Sequence, residues 1–183
     1  GIGRDIAREL SKKGYDLVIV ARNKERLEEL KQELKTKVEV ISLDLSKKEN
    51  CMKLHEEVKD IDVLINNAQA SASGVTIADH TTQQFDLAMY SGVYATFYYM
   101  KECYPYLKET KGSVINFASG AGLFGNFGQC AYAAAKEGIR GLTRVAATEW
   151  AADGINVNVV CPLAWTAQLE NFEKAYPEAY KAN

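Results

Sequence analysis

Short apolar runs alternate with amphipathic stretches along the whole chain. Five runs rich in β-branched side chains predict strands, at residues 17–20, 38–43, 61–65, 113–118 and 155–160. Stretches with apolar side chains at helical spacing predict helices, at residues 2–13, 23–35, 46–58, 81–107 and 130–152, with a weakly helical tail from 167. This alternation predicts right-handed βαβ units and an α/β fold, in which a parallel sheet is covered on both faces.

Capping residues and glycines predict where these elements end. Gly14 stops the first helix, and Asn23 caps the second. Ser46, with Glu49 three residues later, opens the third, whereas the long fourth helix should end near Pro105. Residues 120–128 are expected to form a glycine-rich loop. The continuous run at 17–20 is typical of a strand that is buried on both faces.

Composition narrows the class of protein. The chain has 183 residues, 47% of them hydrophobic and 25% charged, with a formal net charge of -2. That balance argues against binding to nucleic acid through bulk charge, and no apolar run is long enough to span a membrane. Four cysteines without a CxxC motif and two isolated histidines favour reduced thiols and no metal site. We therefore expect a cytoplasmic protein of one domain, residues 1–183.

Ser119, Tyr132 and Lys136 form the sharpest chemical pattern. Ser119 directly follows a predicted strand, and Tyr132 and Lys136 share one face of the next helix. An ammonium beside a phenol lowers the pKa of the phenol from about 10, toward the range in which it exchanges protons efficiently. A nearby hydroxyl is suited to hold the reacting oxygen atom. This arrangement predicts acid/base chemistry at the carboxyl end of a strand, where ligands bind in parallel sheets.

The same chain carries a second set of residues with identical offsets. Ser91, Tyr104 and Lys108 lie wholly within the long predicted helix, with Pro105 inside the Tyr–Lys pair and no strand before Ser91. Spacing alone is therefore weak evidence. We expect a structural role for this second set, and a functional one only where a strand and a loop precede the helix.

The order of several motifs resembles the short-chain dehydrogenase/reductase family, in its single-domain type. The matching pieces, in chain order, are Gly1-Ile2-Gly3, Ala21-Arg22, Asp44-Leu45, Asn66-Asn67-Ala68, the Ser119/Tyr132/Lys136 set and Asn156-Val157-Asn158-Val159-Val160-Cys161-Pro162. The resemblance implies a Rossmann-like doubly wound sheet and hydride transfer between NAD(P) and a ketone or secondary alcohol. By that resemblance Tyr132 is the general acid/base, Lys136 binds the nicotinamide ribose and lowers the pKa of Tyr132, and Ser119 positions the substrate.

The resemblance also implies a set of cofactor-binding residues, namely Gly1, Ile2, Gly3, Arg22, Asp44, Asn66, Ala68, Tyr132, Lys136, Pro162 and Thr166. Members that prefer NAD carry an acid where this chain has Ala21, and an arginine can clamp a 2′-phosphate. We therefore favour NADP(H) over NAD(H). The alternatives are that Arg22 is only a solvated residue at a helix start, and that Asp44 caps a turn instead of facing adenine.

Three departures from the family pattern support a second hypothesis. Gln69 replaces a usual glycine, Gly92 stands where the family has an asparagine that orders a water beside the lysine, and Leu163 follows Pro162, so that Thr166 arrives early. The alternative function is a catalytically weak or inactive nucleotide-binding or interaction protein of the same fold.

Aromatic side chains suggest what the protein contacts. Phe124 and Phe127 favour an apolar substrate, a small-molecule carbonyl or alcohol, unless they fold back onto the core. Sugar, steroid, acyl-thioester and small-alcohol substrates all remain open. The aromatic run at 94–106 is suited to helix pairing in a homodimer or homotetramer. The resemblance further implies one strand before Gly1 and another after Pro162, so we expect this chain alone to fold poorly and bind cofactor weakly.

Overall fold

In the computed structural model, which describes residues 1–47, 49–50 and 58–181, five strands lie in two parallel sheets. Two strands pair within a unit formed by residues 1–45, and three pair within a second unit that follows it. The number of strands and their parallel pairing confirm the sequence prediction for the described residues. That residues 1–183 form one domain stays a prediction.

The first unit follows the predicted order closely. Its elements are α1 (Ile2–Lys12), β1 (Leu17–Ala21), α2 (Lys24–Glu33) and β2 (Val38–Ser42). Gly14 follows the end of α1 and has φ 89°, a value that glycine tolerates best. The Asn23 side chain caps α2 by accepting a bond from Arg26 N–H at 2.8 Å. Val18 is 41% exposed, and the other residues of β1 are only half-buried. The expectation that both faces of β1 are buried is therefore wrong for this unit.

The second unit builds a three-stranded sheet with strand order β3-β4-β5. Its strands are β3 (Val63–Asn66), β4 (Ser113–Phe117) and β5 (Asn156–Val160). Its helices are α3 (Thr82–Ala88), α4 (Ala95–Thr110), α5 (Gly120–Phe124), α6 (Cys130–Trp150), α7 (Ala167–Ala175) and α8 (Pro177–Lys181), with a π-helical segment, Met89–Tyr94, and a 3₁₀ turn, Ala151–Asp153. The core lies between α4, α6 and the sheet, where Leu107 and Val114 are fully buried.

Two boundaries differ from the sequence prediction. The long helix continues through Pro105 to Thr110, because Cys103 and Leu107 on either side of the proline are anchored in the core. The glycine-rich stretch contains α5, which Ser119 caps, so residues 120–128 are not all loop. The predicted helix at 46–58 lies mostly outside the described residues. Across the described part of the chain, none of the helices has both the length and the apolar character that a membrane span needs.

Candidate active site

The carboxyl ends of β3, β4 and β5 bring the predicted site residues of the second unit to one edge of its sheet. Asn66 at the end of β3 pairs in register with Asn116, and Phe117 at the end of β4 pairs with Val160 at the end of β5. The segments that follow these strands therefore emerge side by side. They carry Asn66 to Ala68, Ser119, and Cys161 with Pro162, as the sequence predicts.

Ser119, Tyr132 and Lys136 converge at this edge. Ser119 caps α5, where its Oγ accepts a bond from Ala121 N–H at 3.2 Å, and its side chain lies near enough to the Tyr132 phenol to lower the pKa of that phenol. Lys136 lies one turn after Tyr132 in α6, with its Nζ 5.5 Å from the centre of the tyrosine ring. Lys136 is buried, and its ammonium donates to Phe117 O at 2.7 Å. The fold thus joins a strand end and a helix face into one polar cluster.

Burial dominates the ionisation of this cluster. It lowers the pKa of Lys136 to about 8, because the buried ammonium loses hydration. Burial also raises the pKa of Tyr132, and the hydrogen bond from Ser119 opposes that rise. The expectation that the pKa of Tyr132 lies below its ordinary value is therefore wrong for this structure, in which burial has the largest effect on the phenol and the Lys136 ammonium donates to the Phe117 carbonyl.

A buried arginine that sequence reasoning missed supports the site. Arg140 lies one turn after Lys136 and donates from Nη2 to Ser119 O at 3.0 Å and from Nη1 to Cys161 Sγ at 3.4 Å. Its Nε is 3.1 Å from Glu137 Oε1. One side chain thus holds the backbone of Ser119 and the residue after β5. The available signal was its spacing of four from Lys136, which places both cations on the same helix face.

A buried asparagine, also missed, ties the strands beneath the site. Asn116 is fully buried in β4. Its Oδ1 accepts a bond from Asn66 Nδ2 at 2.8 Å, and its Nδ2 donates to Thr143 Oγ1 at 2.9 Å. These bonds join β3, β4 and α6 just below the edge where Ser119 emerges. Their signal in the sequence was a polar residue inside an otherwise apolar strand.

The second Ser/Tyr/Lys set has the structural role expected for it. Tyr104 donates its hydroxyl to Asp153 Oδ2 at 2.6 Å, and Lys108 Nζ lies 2.8 Å from Asp153 Oδ1. Ser91 instead bonds the backbone of Ala70. The pair of Tyr104 and Lys108 therefore joins α4 to the 3₁₀ turn after α6, whereas Ser91 bonds the Ala70 backbone. The serine, tyrosine and lysine of this second set therefore do not meet, although their spacing is the same as in the first set.

Comparison with known proteins agrees with this geometry. A family model described as short chain dehydrogenase matches residues 1–175. The chain belongs to the short-chain dehydrogenase family. It is 61% identical over 194 aligned positions to a 12α-hydroxysteroid dehydrogenase from Clostridium sp.. The alignment covers 100% of this chain and 75% of that relative. The protein is accordingly an oxidoreductase of the class that interconverts CH–OH and C=O groups.

Solved structures show the same Rossmann-like doubly wound fold. A metagenomic short-chain oxidoreductase in complex with NADP superimposes with a TM-score of 0.84 at 28% identity, over 90% of this chain and 78% of that one. A short-chain dehydrogenase from Sphingobium yanoikuyae in complex with NADPH gives 0.81 at 28% identity, over 90% of this chain and 67% of that one. The predicted family and fold class are thus confirmed.

The remaining predicted site residues of this dehydrogenase lie on turns and helix ends. In the first unit, Gly1 caps α1 ahead of Ile2 and Gly3, Arg22 is exposed just after β1, and Asp44 is half-buried after β2. In the second unit, Thr166 caps α7 by accepting a bond from Leu169 N–H at 3.2 Å.

An apolar surface follows α5 and β5. Phe124 is 81% exposed, so the alternative that it folds back onto the core is wrong, and Phe127 is 56% exposed. Leu163 and Trp165, which follow Pro162, are also largely exposed. Sequence reasoning had not singled out Trp165. Exposed aromatic and aliphatic side chains on the segments beside Ser119 are suited to contact an apolar ligand.

Proposed function

We propose that this protein transfers a hydride between NADP(H) and a secondary alcohol or ketone on a bulky apolar molecule of the hydroxysteroid class. The observation that carries the proposal is the meeting of the Ser119 hydroxyl, the Tyr132 phenol and the buried Lys136 ammonium at the carboxyl end of β4. A phenol and a hydroxyl that lie this close to each other can both bond a third oxygen placed between them. That oxygen is the substrate carbonyl or alcohol.

Each side chain has a distinct task in this proposal. Tyr132 gives its proton to the carbonyl oxygen during reduction and takes it from the alcohol during oxidation. Ser119 donates a hydrogen bond to the same oxygen and fixes its position. Lys136 places a positive charge beside the ring as the phenolate forms, which lowers the energy of that anion. Arg140 holds the Ser119 backbone and so keeps the hydroxyl in place.

The residues of each unit fit the chemistry of a dinucleotide, which supplies the hydride acceptor or donor when bound. In the first unit, Gly1 is the N-cap of α1, and Ile2 and Gly3 lie in its first turn. The free N–H groups of a helix N-terminus favour the oxygen atoms of a pyrophosphate. In the second unit, the Lys136 ammonium has the donors that ribose hydroxyls need. We propose that Gly1, Ile2, Gly3 and Asp44 of the first unit contact the dinucleotide, as do Asn66, Ala68, Pro162 and Thr166 of the second unit.

Arg22 supports the choice of NADP(H). Its side chain is exposed directly after β1, and the residue before it is Ala21, so no acid at that strand end repels a 2′-phosphate. Arg22→Ala should weaken binding of NADPH about tenfold and leave binding of NADH nearly unchanged. Fluorescence titration of both nucleotides measures this, with Lys31→Ala in α2 as a control on surface charge. Native protein that binds NADH more tightly than NADPH contradicts the assignment.

The apolar surface supports a steroid-like substrate. Exposed apolar side chains stand at the end of α5 and on the segments that follow α5 and β5, namely Phe124, Phe127, Leu163 and Trp165. Burying such side chains against a rigid hydrocarbon skeleton is favourable in proportion to the apolar area removed from water. The relative that is 61% identical is named for a 12α-hydroxysteroid activity. We therefore place the same substrate class first among those that the sequence left open.

A matched pair of variants tests the mechanism. Turnover of a 12α-hydroxysteroid with NADP⁺ is followed by NADPH absorbance in native protein, Tyr132→Phe and Tyr104→Phe. Loss of the general acid/base should reduce kcat about 10²–10⁴-fold in Tyr132→Phe. Tyr104→Phe removes the same hydroxyl from the second set, where it bonds Asp153, and should keep kcat near native. Equal activity in Tyr132→Phe and native protein refutes the role of Tyr132.

We also propose a homo-oligomer, formed through α4 and α6. Phe97 on α4 is 44% exposed and Val145 on α6 is 55% exposed, and both line a groove that also contains Trp150. Such an apolar groove on two adjacent helices suits pairing with a second copy. Light scattering should show a dimer or tetramer for native protein and a smaller species for Val145→Glu. A native protein that is monomeric at high concentration excludes this interface.

A further inference from the structure

A buried carboxamide lies close to the helix that carries Tyr132 and Lys136. Gln69 follows the last residue of β3 by three positions. Its Nε2 and Oε1 are both buried, and within the described part of the chain neither has a hydrogen-bond partner. An unpaired buried polar group is unfavourable, and proteins usually pair such groups with another side chain or with an ordered water molecule. The Gln69 amide therefore marks a polar position in the interior of the second unit.

The space that this amide fills exists because residue 92 is a glycine. A Cβ on Gly92 would lie 2.8 Å from Gln69 Nε2 and 3.0 Å from Gln69 Cδ, so the end of the Gln69 side chain would have to move to admit a side chain there. Gly92 is buried within the π-helical segment Met89–Tyr94. The side chain of residue 69 thus occupies the volume that a side chain at 92 needs. The two departures at 69 and 92 are therefore one coupled feature of this chain.

Ser91 fixes the loop of Gln69 to the same π-helical segment. Its Oγ accepts a bond from Ala70 N–H at 3.0 Å. It also lies 2.9 Å from Ala70 O and 2.6 Å from Leu87 O, one of which accepts its proton. The residue after Gln69 is thereby bound to the residue before Gly92. This contact fixes the backbone next to Gln69, which a positioning role requires.

The carboxamide borders the helix turn that carries Lys136. The Cβ position of Gly92 lies 3.4 Å from the Ala135 Cβ, and Ala135 immediately precedes Lys136 in α6. The Lys136 ammonium has three N–H donors, one of which bonds Phe117 O. A water molecule is the group that joins an amide to an ammonium when the two are too far apart to bond directly.

We propose that Gln69 is a positioning residue whose carboxamide holds an ordered water molecule against the Lys136 ammonium. The amide oxygen accepts a hydrogen bond from this water, and the water oxygen accepts one from the ammonium. The inference deepens the proposed function, because Lys136 serves the reaction there, but the contact itself does not depend on which substrate is used. The carboxamide on the loop after β3 thus occupies the position beside Gly92 that a side chain at residue 92 would otherwise take.

Three variants separate the polar role of Gln69 from its packing. Gln69→Met keeps the length of the side chain and removes both polar atoms. Gly92→Asn adds a second carboxamide to the same space. The double variant Gln69→Gly/Gly92→Asn moves the carboxamide from the loop to the helix. All are compared in protein expressed from its complete reading frame.

The first measurement is the titration of the Lys136 ammonium by heteronuclear NMR, with Lys108 as the control. The titratable or charged groups around Lys136 are Tyr132 before it, Glu137 and Arg140 after it on the same helix, and Cys161 after β5. Gln69→Met should lower the pKa of Lys136, because the ammonium loses a polar partner, and the double variant should restore it. Lys108, which pairs with Asp153 on another part of the unit, should titrate unchanged.

The second measurement is turnover, which separates this inference from the proposed function. Gln69→Met should lower kcat about tenfold, and the double variant should return it to within a few-fold of native. Active native protein in which Gln69→Met alters neither kcat nor the Lys136 titration overturns the inference and leaves the proposed function standing. Native protein that turns over no hydroxysteroid refutes the proposed function, whereas a Lys136 titration that responds to Gln69→Met and recovers in the double variant still supports the inference.

Stability provides an independent check of the shared space. Gly92→Asn alone places two carboxamides in one volume and should lower the Tm. Removing the Gln69 side chain in the double variant should recover most of that loss. A double variant that is no more stable than Gly92→Asn shows that residues 69 and 92 do not compete for one space, and overturns the inference.

Discussion

Lys136 is a buried ammonium that reduces the stability of the native state at neutral pH. Burial lowers its pKa from 10.5 to about 8. That difference lowers the free energy of unfolding by about 3 kcal/mol at pH 7, because the ammonium is fully hydrated in the unfolded chain and loses that hydration in the native state. The bond from Nζ to Phe117 O contributes about 1 kcal/mol in the opposite direction. Lys136→Met, which keeps the length and removes the charge, should therefore stabilise the protein by about 2 kcal/mol at pH 7.

The dependence on pH follows from the direction of the shift. A group whose native pKa lies below its unfolded pKa stabilises the native state above the unfolded value, and that stabilisation is lost as pH falls through the native value. The native protein should therefore gain about 2 kcal/mol between pH 7 and pH 9.5 relative to Lys136→Met. Burial raises the pKa of Tyr132 above its ordinary value of 10.0, so this phenol stays protonated over the same interval.

Urea unfolding of the cofactor-free protein at both pH values measures these free energies. Lys108→Met is the matched control, because the hydrogen bond that Lys108 donates to Asp153 raises the pKa of Lys108 and places its titration above the interval. Its stability difference from native protein should not change between the two pH values. If the difference between native protein and Lys136→Met is also constant, the ammonium is not destabilised by burial and the reasoning is refuted. Lys136→Met should meanwhile lose turnover, although it is more stable.

Two further predictions concern the scaffold beneath the site. Asn116→Leu leaves the Asn66 amide without its acceptor and should lower the free energy of unfolding by about 1–3 kcal/mol in urea, and a loss below this range would show that the pair contributes little. Gly128→Ala should lower the Tm more than Gly125→Ala: both glycines have positive φ, 69° and 66°, but only at Gly128 would a Cβ meet backbone, 3.0 Å from Gly74 Cα. Equal losses in the two variants would rule out that contact.

Most of the fold follows from local patterns in the sequence. The runs at 38–43 and 113–118 contain the two strands that the structure places there, because a short β-branched run flanked by polar residues has few other solutions. Asn23 caps its helix as predicted, since capping needs only a side chain and a backbone a few residues apart. The positions of Ser119, Tyr132 and Lys136 were predictable for the same reason, because a strand end followed by a helix fixes them.

Features that depend on packing were not predictable from one sequence. Pro105 does not end its helix, because the burial of residues on either side of it outweighs the hydrogen bond that proline removes. The pKa of Tyr132 rises because its surroundings desolvate it, an effect that spacing along the chain does not contain. In the sequence Arg140 looks like an ordinary charged helix residue, and only the structure shows that it bonds Ser119 O and Cys161 Sγ.

The two Ser/Tyr/Lys sets have the same spacing in the sequence, but the fold gives their tyrosine and lysine side chains different partners. In both sets a tyrosine and a lysine share a helix face. Tyr104 and Lys108 meet the carboxylate of Asp153, which accepts from both, holds the lysine charged and raises its pKa. Tyr132 and Lys136 meet a neutral hydroxyl and a carbonyl instead, so the phenol keeps a partner that can share a third oxygen. Placing an acid beside Tyr132, as in Ser119→Asp, should therefore convert the reactive pair into a structural one and end turnover, whereas Asp153→Ser should leave turnover intact.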